Sequence, residues 1–211
     1  MIVLGRGNAN GGVSVLHAAG LGKGCSIGIE LSTEVCLVAG EAAVSHDEHG
    51  ILDSVMAVWV ESGYPRPDDT GWRVSSEVPI GQGLKSSAAL ACAAVLALND
   101  ASWTALSDFD IVDIAVAAQR RAGCTITGCM DDAWAAISPG WKLVDPIQSS
   151  RDSVLLEGDI DDGLTVLIAL RGPRLAKVQS DSFTGQKKLF ERAMASLSNG
   201  SVLDAMSANG M

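Results

Sequence analysis

Apolar and polar positions along the chain follow two periods, which separate predicted strands from predicted helices. Short runs rich in β-branched and apolar residues predict strands, and apolar residues that recur every three to four positions predict helices. The predicted strands span residues 13–18, 25–31, 33–39, 72–78, 141–144, 154–157 and 164–170. The predicted helices span residues 51–61, 86–98, 108–121, 132–137 and 185–197, with Asp108 or Asp110 as the cap of the third.

The order of these elements predicts an α+β fold in two parts. Residues 1–12 are rich in glycine and asparagine and predict an irregular start, and residues 198–211 show no clear element. A change to polar composition near residues 145–152 predicts a domain boundary. We therefore expect a β-rich first domain over residues 1–146 and a second, incomplete domain over residues 147–211.

Composition and charge narrow the classes of protein. The chain has 211 residues, of which 47% are hydrophobic and 19% charged, so it can bury a sizeable core. A net charge of −10 argues against nucleic acid as a partner. The longest apolar run, residues 88–98, is too short to cross a membrane, and no signal peptide is visible. Five cysteines without a Cys-x-x-Cys spacing predict free thiols in a reducing cytoplasm.

A glycine-rich turn before the most apolar helix is the first candidate site. Two glycines are followed there by Lys85, Ser86 and Ser87 at the predicted start of the helix. The first N–H groups of a helix lack intrahelical partners and carry partial positive charge, so this combination suits a phosphate. The alternative is a helix capped by a serine after a tight turn, and the turn alone does not decide between them.

A second glycine-rich loop spans residues 19–24 and contains Lys23 between two glycines. It fails as a Walker A motif, because Gly24 rather than Ser or Thr follows the lysine and His17 occupies the position of the leading glycine. Lys23 is a candidate for contact with a phosphate or carboxylate, as a point charge beside accessible backbone N–H groups. The alternative is a plain connection between two strands.

Two adjacent acids, Asp131 and Asp132, stand in a third loop, residues 123–133. One acid, most easily Asp132, is expected to cap the short helix that follows. The other is a candidate to orient or deprotonate a hydroxyl group, or to bind Mg²⁺.

Three further features have simpler explanations to weigh against a functional one. The basic residues Arg171, Arg174 and Lys177 form either a clamp for an anionic substrate or a solvated loop. The run His46-Asp47-Glu48-His49 supplies too few fixed ligands for a metal and predicts a solvated turn. The tryptophans are expected in the core.

Together the three loops resemble the GHMP kinase superfamily. Residues 79–88 match its ATP-binding motif, Pro-x-x-x-Gly-Leu-x-Ser-Ser-Ala, at every fixed position. Within the superfamily the chain is similar to the archaeal shikimate kinase branch, which also has lysine at the position of Lys85. The loops at residues 19–31 and 123–133 resemble segments of that branch as well.

The resemblance implies an S5-like N-terminal domain, a ferredoxin-like C-terminal domain, and an active site between them. It implies that ATP is the phosphoryl donor, that Ser87 reaches Mg²⁺, and that Asp131 lies near the acceptor hydroxyl, with Asp132 as the alternative. Lys23 is the second catalytic candidate. The implied nucleotide-binding residues are Pro79, Gly81, Gln82, Gly83, Leu84, Lys85, Ser86, Ser87 and Ala88. The implied substrate-binding residues are Gly22, Lys23, Thr127, Gly128, Asp131 and Asp132.

The implied reaction is transfer of the γ-phosphoryl group of ATP to the 3-hydroxyl of shikimate, a small-molecule substrate. Two departures from the superfamily qualify it. Residues 117–121 lack the glutamate that some relatives use for Mg²⁺, and the third glycine-rich motif is absent, so we expect a partial sequence. The alternatives are another kinase of the superfamily, of homoserine, mevalonate or pantoate type, or a non-catalytic nucleotide-binding fragment.

Overall fold

The fold is built on a mixed α/β framework with an antiparallel sheet. The computed structural model describes residues 2–40, 47, 49–125, 127–161, 163–169, 183 and 185–210. Within them a five-stranded sheet has the order β1-β2-β4-β5, with β3 also paired to β2. The strands are β1 (Val3–Leu16), β2 (Gly24–Ala39), β3 (Thr70–Ser76), β4 (Trp141–Val144) and β5 (Val154–Gly158).

The long strand β2 organises the sheet. On one edge it pairs with β1 from Gly28 to Cys25 and again from Ser32 to Val38. On the other edge its first residues, 24–27, pair with β4, and residues 33–39 pair with β3. The predicted break between residues 31 and 33 is therefore wrong, because β2 runs without interruption from Gly24 to Ala39 and Ser32 and Thr33 both pair with β1.

Strand β1 corrects the prediction of an irregular start. Its buried positions alternate with exposed ones from Gly5 to Ala9, as expected of a strand with one covered face. The covered positions include Gly5 and Gly7, against which helix α3 (Ser86–Ser102) lies. Glycines here make room for a helix backbone, and the alanines of α3 allow the same close approach.

Replacing Gly7 by alanine tests this close packing. An added Cβ would overlap the carbonyl oxygen of Ala93 and lie 2.6 Å from the amide nitrogen of Ala97. Since backbone atoms cannot move aside cheaply, we expect a loss of about 2 kcal/mol in the free energy of unfolding, measured by urea titration. The exposed neighbour Asn8 is the control, and Asn8→Ala should change stability by less than about 0.5 kcal/mol. Equal stabilities of the two variants would contradict the packing argument.

The helices match the predictions in part. The predicted bounds of α2 (Ile51–Glu61) and α4 (Asp108–Arg121) are confirmed. The prediction that Asp108 or Asp110 caps α4 is wrong, because Ser107 is the N-cap and forms a capping box with Asp110. Helix α5 begins two residues earlier than predicted, and α8 was not predicted. The helices are α1 (Ala18–Leu21), α2 (Ile51–Glu61), α3, α4 (Asp108–Arg121), α5 (Met130–Ile137), α6 (Ser150–Ser153), α7 (Lys187–Ser198) and α8 (Val202–Asn209).

One further prediction is wrong, and the prediction that the tryptophans are buried holds for Trp59, Trp72, Trp134 and Trp141 but not for Trp103. Residues 164–169 form no strand, and their apolar side chains, such as Leu167, are exposed. Trp103 is 91% exposed, in a left-handed backbone conformation at the end of α3. A single indole at a helix end has no facing surface to cover it.

Two main buried clusters lie on the sheet, beside a third, small one formed by Ile29, Val78, Leu84 and Ala89. The larger one joins α2, α3, α4 and α5 to strands β1, β2 and β3, and the smaller one joins α7 and α8 to β1, β2 and β4. Cys25 and Leu143 belong to the smaller cluster, whereas Val144 belongs to the larger one. Because neighbouring strand residues face opposite sides, Gly24 and Ser26 face the side that carries α3 and α5.

The part of the chain after residue 146 continues the same sheet. Strand β5 pairs with β4, and α8 packs against β1. The division into domains at residues 146 and 147 stays a prediction. Among the described helices, none combines the length and the apolar character needed to span a membrane.

Candidate active site

The glycine-rich turn before α3 adopts positive φ values at its two glycines and at Lys85. Gly81 and Gly83 have φ values of 71° and 80°, which favour glycine, and Lys85 caps α3 with a φ of 64°. Leu84 is buried, and its carbonyl oxygen accepts a 3.0 Å hydrogen bond from the backbone N–H of Gly12. Strand β1 therefore anchors the turn, while the glycines stay exposed at the entrance to α3.

The acidic loop also ends in a left-handed residue before a helix. The N–H of Gly128 donates to Thr125 Oγ1 at 2.6 Å, and Cys129, with a φ of 55°, is the N-cap of α5. The prediction that Asp132 caps this helix is wrong, because Asp131 and Asp132 both lie within its first turn. The partial positive charge at a helix start favours carboxylates in that position.

The two helix starts meet at one ion pair. Lys85 Nζ lies 2.7 Å from Asp132 Oδ1, and both side chains are largely buried. The structure thus brings together the glycine-rich turn and the acidic loop, which are separated by more than forty residues in the sequence.

Strand β2 forms the third side of this cluster. Ser26 is buried, and its hydroxyl donates to Asp131 Oδ2 at 2.7 Å and lies 3.1 Å from Asp132 Oδ1. A Cβ added to Gly24 would lie 2.6 Å from Asp131 Oδ1, so the glycine makes room for this carboxylate. Gly24 and Ser26 together form the surface of β2 against which Asp131 packs.

Burial and neighbouring charges shift the acid–base properties of the cluster. Burial, and then the charge of Asp132, raise the pKa of Asp131 to about 7, although Lys85 and Ser26 act in the opposite direction. Burial alone would lower the pKa of Lys85, but Asp132 and Asp131 outweigh it and the pKa is raised. Lys85 therefore stays charged at neutral pH, while Asp131 exchanges a proton near neutral pH.

Two buried thiols, Cys92 and Cys129, lie beside the cluster, and a third, Cys25, lies on the opposite face of β2. Burial, reinforced by Asp131, raises the pKa of Cys25 to about 12, and burial with Asp132 raises that of Cys92 to about 12. Burial also raises the pKa of Cys129. All three thiols are neutral at physiological pH, and Cys92 and Cys129 are small apolar neighbours of the carboxylates.

Lys23 lies next to this cluster but pairs elsewhere. Its Nζ is 2.5 Å from Asp145 Oδ2, just beyond the point where Gly24 pairs with Val144. The hydrogen bond from Lys23, and then that from the backbone N–H of Ile147, hold the pKa of Asp145 below its usual value. The predicted roles of Lys23 in catalysis and substrate binding stay predictions.

The other predicted site residues lie around the cluster. Gly22 ends α1 with a φ of 67°, and Thr127 is half-buried in the acidic loop. Ser86 and Ser87 are half-buried in the first turn of α3, and Ala88 behind them is fully buried. Their contacts with a nucleotide or substrate, and those of Pro79, Gln82 and Gly128, stay predictions.

Some predictions lie partly or wholly outside the described residues. The basic residues Arg171, Arg174 and Lys177 are outside them, and so are two members of the run 46–49. Within the described ranges, no group of three or more His, Cys, Asp or Glu side chains is placed to hold a metal ion.

Sequence reasoning missed Gly24 and Ser26 as site residues. The available signal was weak, since both alternate with apolar residues on a strand whose facing side chains come from residues 131 and 132. Within residues 24–29, Ser26 is the one hydroxyl in an apolar stretch, and this was the available sign of a polar partner on the covered face.

Comparison with known proteins identifies relatives of this chain. Residues 56–140, which include the glycine-rich turn and both aspartates, match the GHMP kinases N terminal domain. The chain is 34% identical over 178 residues to a shikimate kinase of Pyrococcus abyssi, covering 79% of this chain and 63% of that protein. It is 38% identical over 148 residues to a shikimate kinase of Methanothrix thermoacetophila, covering 68% of this chain and 51% of that protein. The chain thus spans between about half and somewhat under two thirds of these relatives.

Solved structures share the fold at low sequence identity. Mevalonate diphosphate decarboxylase from Staphylococcus aureus superposes with a TM-score of 0.62 at 17% identity, over 98% of this chain and 69% of that one. L. major mevalonate kinase, solved with R-mevalonate, superposes with a TM-score of 0.62 at 16% identity, over 97% of this chain and 73% of that one. With the matched domain, these likenesses confirm the predicted GHMP kinase fold.

Proposed function

We propose that this protein transfers the γ-phosphoryl group of ATP to the 3-hydroxyl of shikimate. The observation that carries the proposal is the Lys85–Asp132 pair, 2.7 Å long, which joins the two helix starts and leaves Asp131 beside them. Phosphoryl transfer needs positioning and charge neutralisation more than covalent chemistry, and these groups supply both. The shikimate kinases among the relatives support the choice of acceptor.

The glycine-rich turn is the proposed binding site for the ATP phosphates. The exposed glycines at 81 and 83 let phosphate oxygens approach the backbone, and the first N–H groups of α3 point at them. Lys85 adds a full positive charge at the same helix start. The residues proposed to line the nucleotide site are Pro79, Gly81, Gln82, Gly83, Leu84, Ser86, Ser87 and Ala88.

Asp131 is the proposed base for the acceptor hydroxyl. Its pKa of about 7 lets it take up the hydroxyl proton as the oxygen attacks the γ-phosphorus, and release that proton after the products leave. Asp132 is the weaker candidate, because Lys85 already pairs with it. Lys23, one residue from Gly24, is the proposed partner for the substrate carboxylate, with Gly22, Thr127 and Gly128 nearby.

The residues present are compatible with Mg²⁺. This ion keeps several waters and takes few protein ligands besides phosphate oxygens, so a large cluster of acids is not required. The Ser87 hydroxyl, half-buried in the first turn of α3, is an oxygen ligand of the right kind beside the proposed binding site for the phosphates. When bound, Mg²⁺ would neutralise charge on the phosphates. A neighbouring fold, solved with AMPPCP and magnesium, supports this assignment.

We place the reaction in the cytoplasm. All five cysteines are free thiols in the structure, which fits a reducing compartment.

Release of ADP tests the proposed acceptor. With ATP and Mg²⁺, shikimate should raise the rate of ADP release at least tenfold above the rate without acceptor. Homoserine, mevalonate, pantoate and galactose should leave the rate at background. Stimulation by one of these four alone would reassign the acceptor within the same family. ATP binding without stimulation by any acceptor would instead support a nucleotide-binding protein without catalysis.

A further inference from the structure

Ser26 holds a special place between the two aspartates. Its hydroxyl is 2.7 Å from Asp131 Oδ2 and 3.1 Å from Asp132 Oδ1, and the residue is 2% exposed. We infer that Ser26 is a positioning residue, which orients the Asp131 carboxylate as the proton acceptor and separates its role from that of Asp132. This inference rests on the proposed function for its kinetic consequences, and on the contacts alone for its structural ones.

A serine hydroxyl has one proton and so serves one carboxylate at a time. The shorter contact indicates that Asp131 accepts the hydrogen bond of the Ser26 hydroxyl. Asp132 accepts instead from the ammonium group of Lys85 at 2.7 Å. Each carboxylate thus has its own donor, one neutral and one charged. Because a charged donor suppresses proton uptake more strongly than a neutral one, Asp131 is left as the carboxylate that can accept a proton.

The backbone of β2 fixes the geometry of this contact. Gly24 and Ser26 face the same side of the strand, and the site of a Cβ on Gly24 is 2.6 Å from Asp131 Oδ1. One oxygen of Asp131 therefore lies against Gly24 while the other accepts from Ser26. Rotation of the carboxylate would break the hydrogen bond, so its orientation is set by the strand and not by solvent.

The groups that face Asp131 come from each element packed against it. Asp132 lies on the same helix, Lys85 caps α3, and Ser26 lies on β2, with Cys25 next to it on the opposite face of that strand. Cys129 caps α5, and Cys92 of α3 is near Asp132. Because burial raises the pKa of all three thiols, they remain neutral between pH 5 and pH 9 and do not obscure a titration of Asp131.

The first test is a carboxyl titration in the absence of substrates. In protein with ¹³C-labelled aspartate, the carboxyl signal that Asp131→Asn removes should titrate near neutral pH in the unsubstituted chain. Ser26→Ala removes the donor, so this midpoint should move upward by about one pH unit. Ser26→Thr keeps a hydroxyl and should restore the original midpoint. Ser54→Ala is the matched control, since Ser54 is also buried and hydrogen-bonded, on α2, and should leave the midpoint unchanged.

The second test is the pH profile of kcat/KM with shikimate. Ser26→Ala should move the acid limb upward by the same amount, which is about a tenfold loss at pH 6 and less than a twofold loss at pH 9. An equal loss at all pH values, or an unshifted limb, would overturn the inference, because a purely structural role predicts those results.

The two tests separate this inference from the proposed function. If no acceptor is phosphorylated, the proposed function fails, and the carboxyl titration alone decides the role of Ser26. An Asp131 midpoint that Ser26→Ala does not move would overturn the inference whatever the activity. Should Ser26→Ala fail to fold, Ser26→Cys keeps the shape with a weaker donor. It should then give a smaller upward shift, and an unmoved midpoint would overturn the inference.

Discussion

Replacing Asp131 by asparagine is expected to abolish phosphoryl transfer and to make the folded chain more stable at pH 8. The side chain is 5% exposed and carries a charge there, which burial and the adjacent Asp132 disfavour. Asparagine has nearly the same shape without the charge, and its amide can still bond Ser26. A gain in stability that accompanies a loss of activity is typical of a group held in an unfavourable state for its chemistry.

The sign follows from proton binding. The pKa of Asp131 is raised from 3.8 to about 7, so the folded state binds this proton more tightly than the unfolded state between those values. The contribution of Asp131 to stability is therefore fully favourable below about pH 4 and is lost as the pH rises through 7. Asparagine lacks this dependence. We expect Asp131→Asn to be about 4 kcal/mol more stable than the unsubstituted chain at pH 8, and equally stable at pH 4.

Urea unfolding at pH 4 and pH 8, with ATP binding and ADP release at pH 8, checks this prediction. ATP binding should persist while turnover with shikimate falls by at least 10³-fold, because only the acceptor proton has lost its base. The adjacent variant Asp132→Asn is the contrast, since it leaves Lys85 buried without its partner and should be destabilised at pH 8. Loss of ATP binding in a folded Asp131→Asn chain would contradict the assignment of Asp131 as the base.

Local signals made the helices and the glycine-rich turn predictable from the sequence. The apolar period of α2 and the acidic start and basic end of α4 gave their bounds correctly. The two glycines before α3 also indicated a tight turn, and both adopt positive φ values, whereas the positive φ of Lys85 was not predicted. In each case the residues that determine the conformation lie within a few positions of one another.

Features that depend on distant partners were not predictable. Glycines near the start of the chain indicated an irregular segment, but Gly5 and Gly7 lie in a strand because α3 needs room there. Asp132 was expected to cap α5, but its carboxylate is drawn to Lys85, more than forty residues away. Ser26 shows its role only when α5 is placed over β2.

The same long-range contact explains why the site holds together. Three segments that are far apart in sequence each contribute one part of the site. The start of α3 contributes a lysine, the start of α5 contributes two acids, and β2 contributes the surface against which Asp131 packs. None is specific alone, since a glycine turn or an acid at a helix start is common in proteins. Their convergence on Asp131 within one buried cluster gives the chemistry that the proposed function requires.

The Lys85–Asp132 pair is expected to be worth far more than an ion pair on the surface. Its side chains are 13% and 16% exposed, and Asp131 adds a second negative charge beside it. Replacing Lys85 by methionine leaves buried carboxylates without a cation, so we expect a loss of about 3 kcal/mol in the free energy of unfolding at pH 8. We also expect at least a tenfold loss of ATP affinity, because the same ammonium group is the proposed phosphate contact.

A double-mutant cycle separates the pair from its surroundings. Combining Lys85→Met with Asp132→Asn removes both charges, so the double variant should be more stable than the sum of the single changes by about 2 kcal/mol. The exposed pair Arg121–Glu61, 2.6 Å long, is the matched control, and its cycle should give a coupling below about 1 kcal/mol. Equal couplings in the two cycles would show that the buried pair is no stronger than a surface contact. ATP affinity should stay low in the double variant and remain near normal in Asp132→Asn, because Lys85 is the proposed phosphate contact and Asp132 is proposed only to hold it in place.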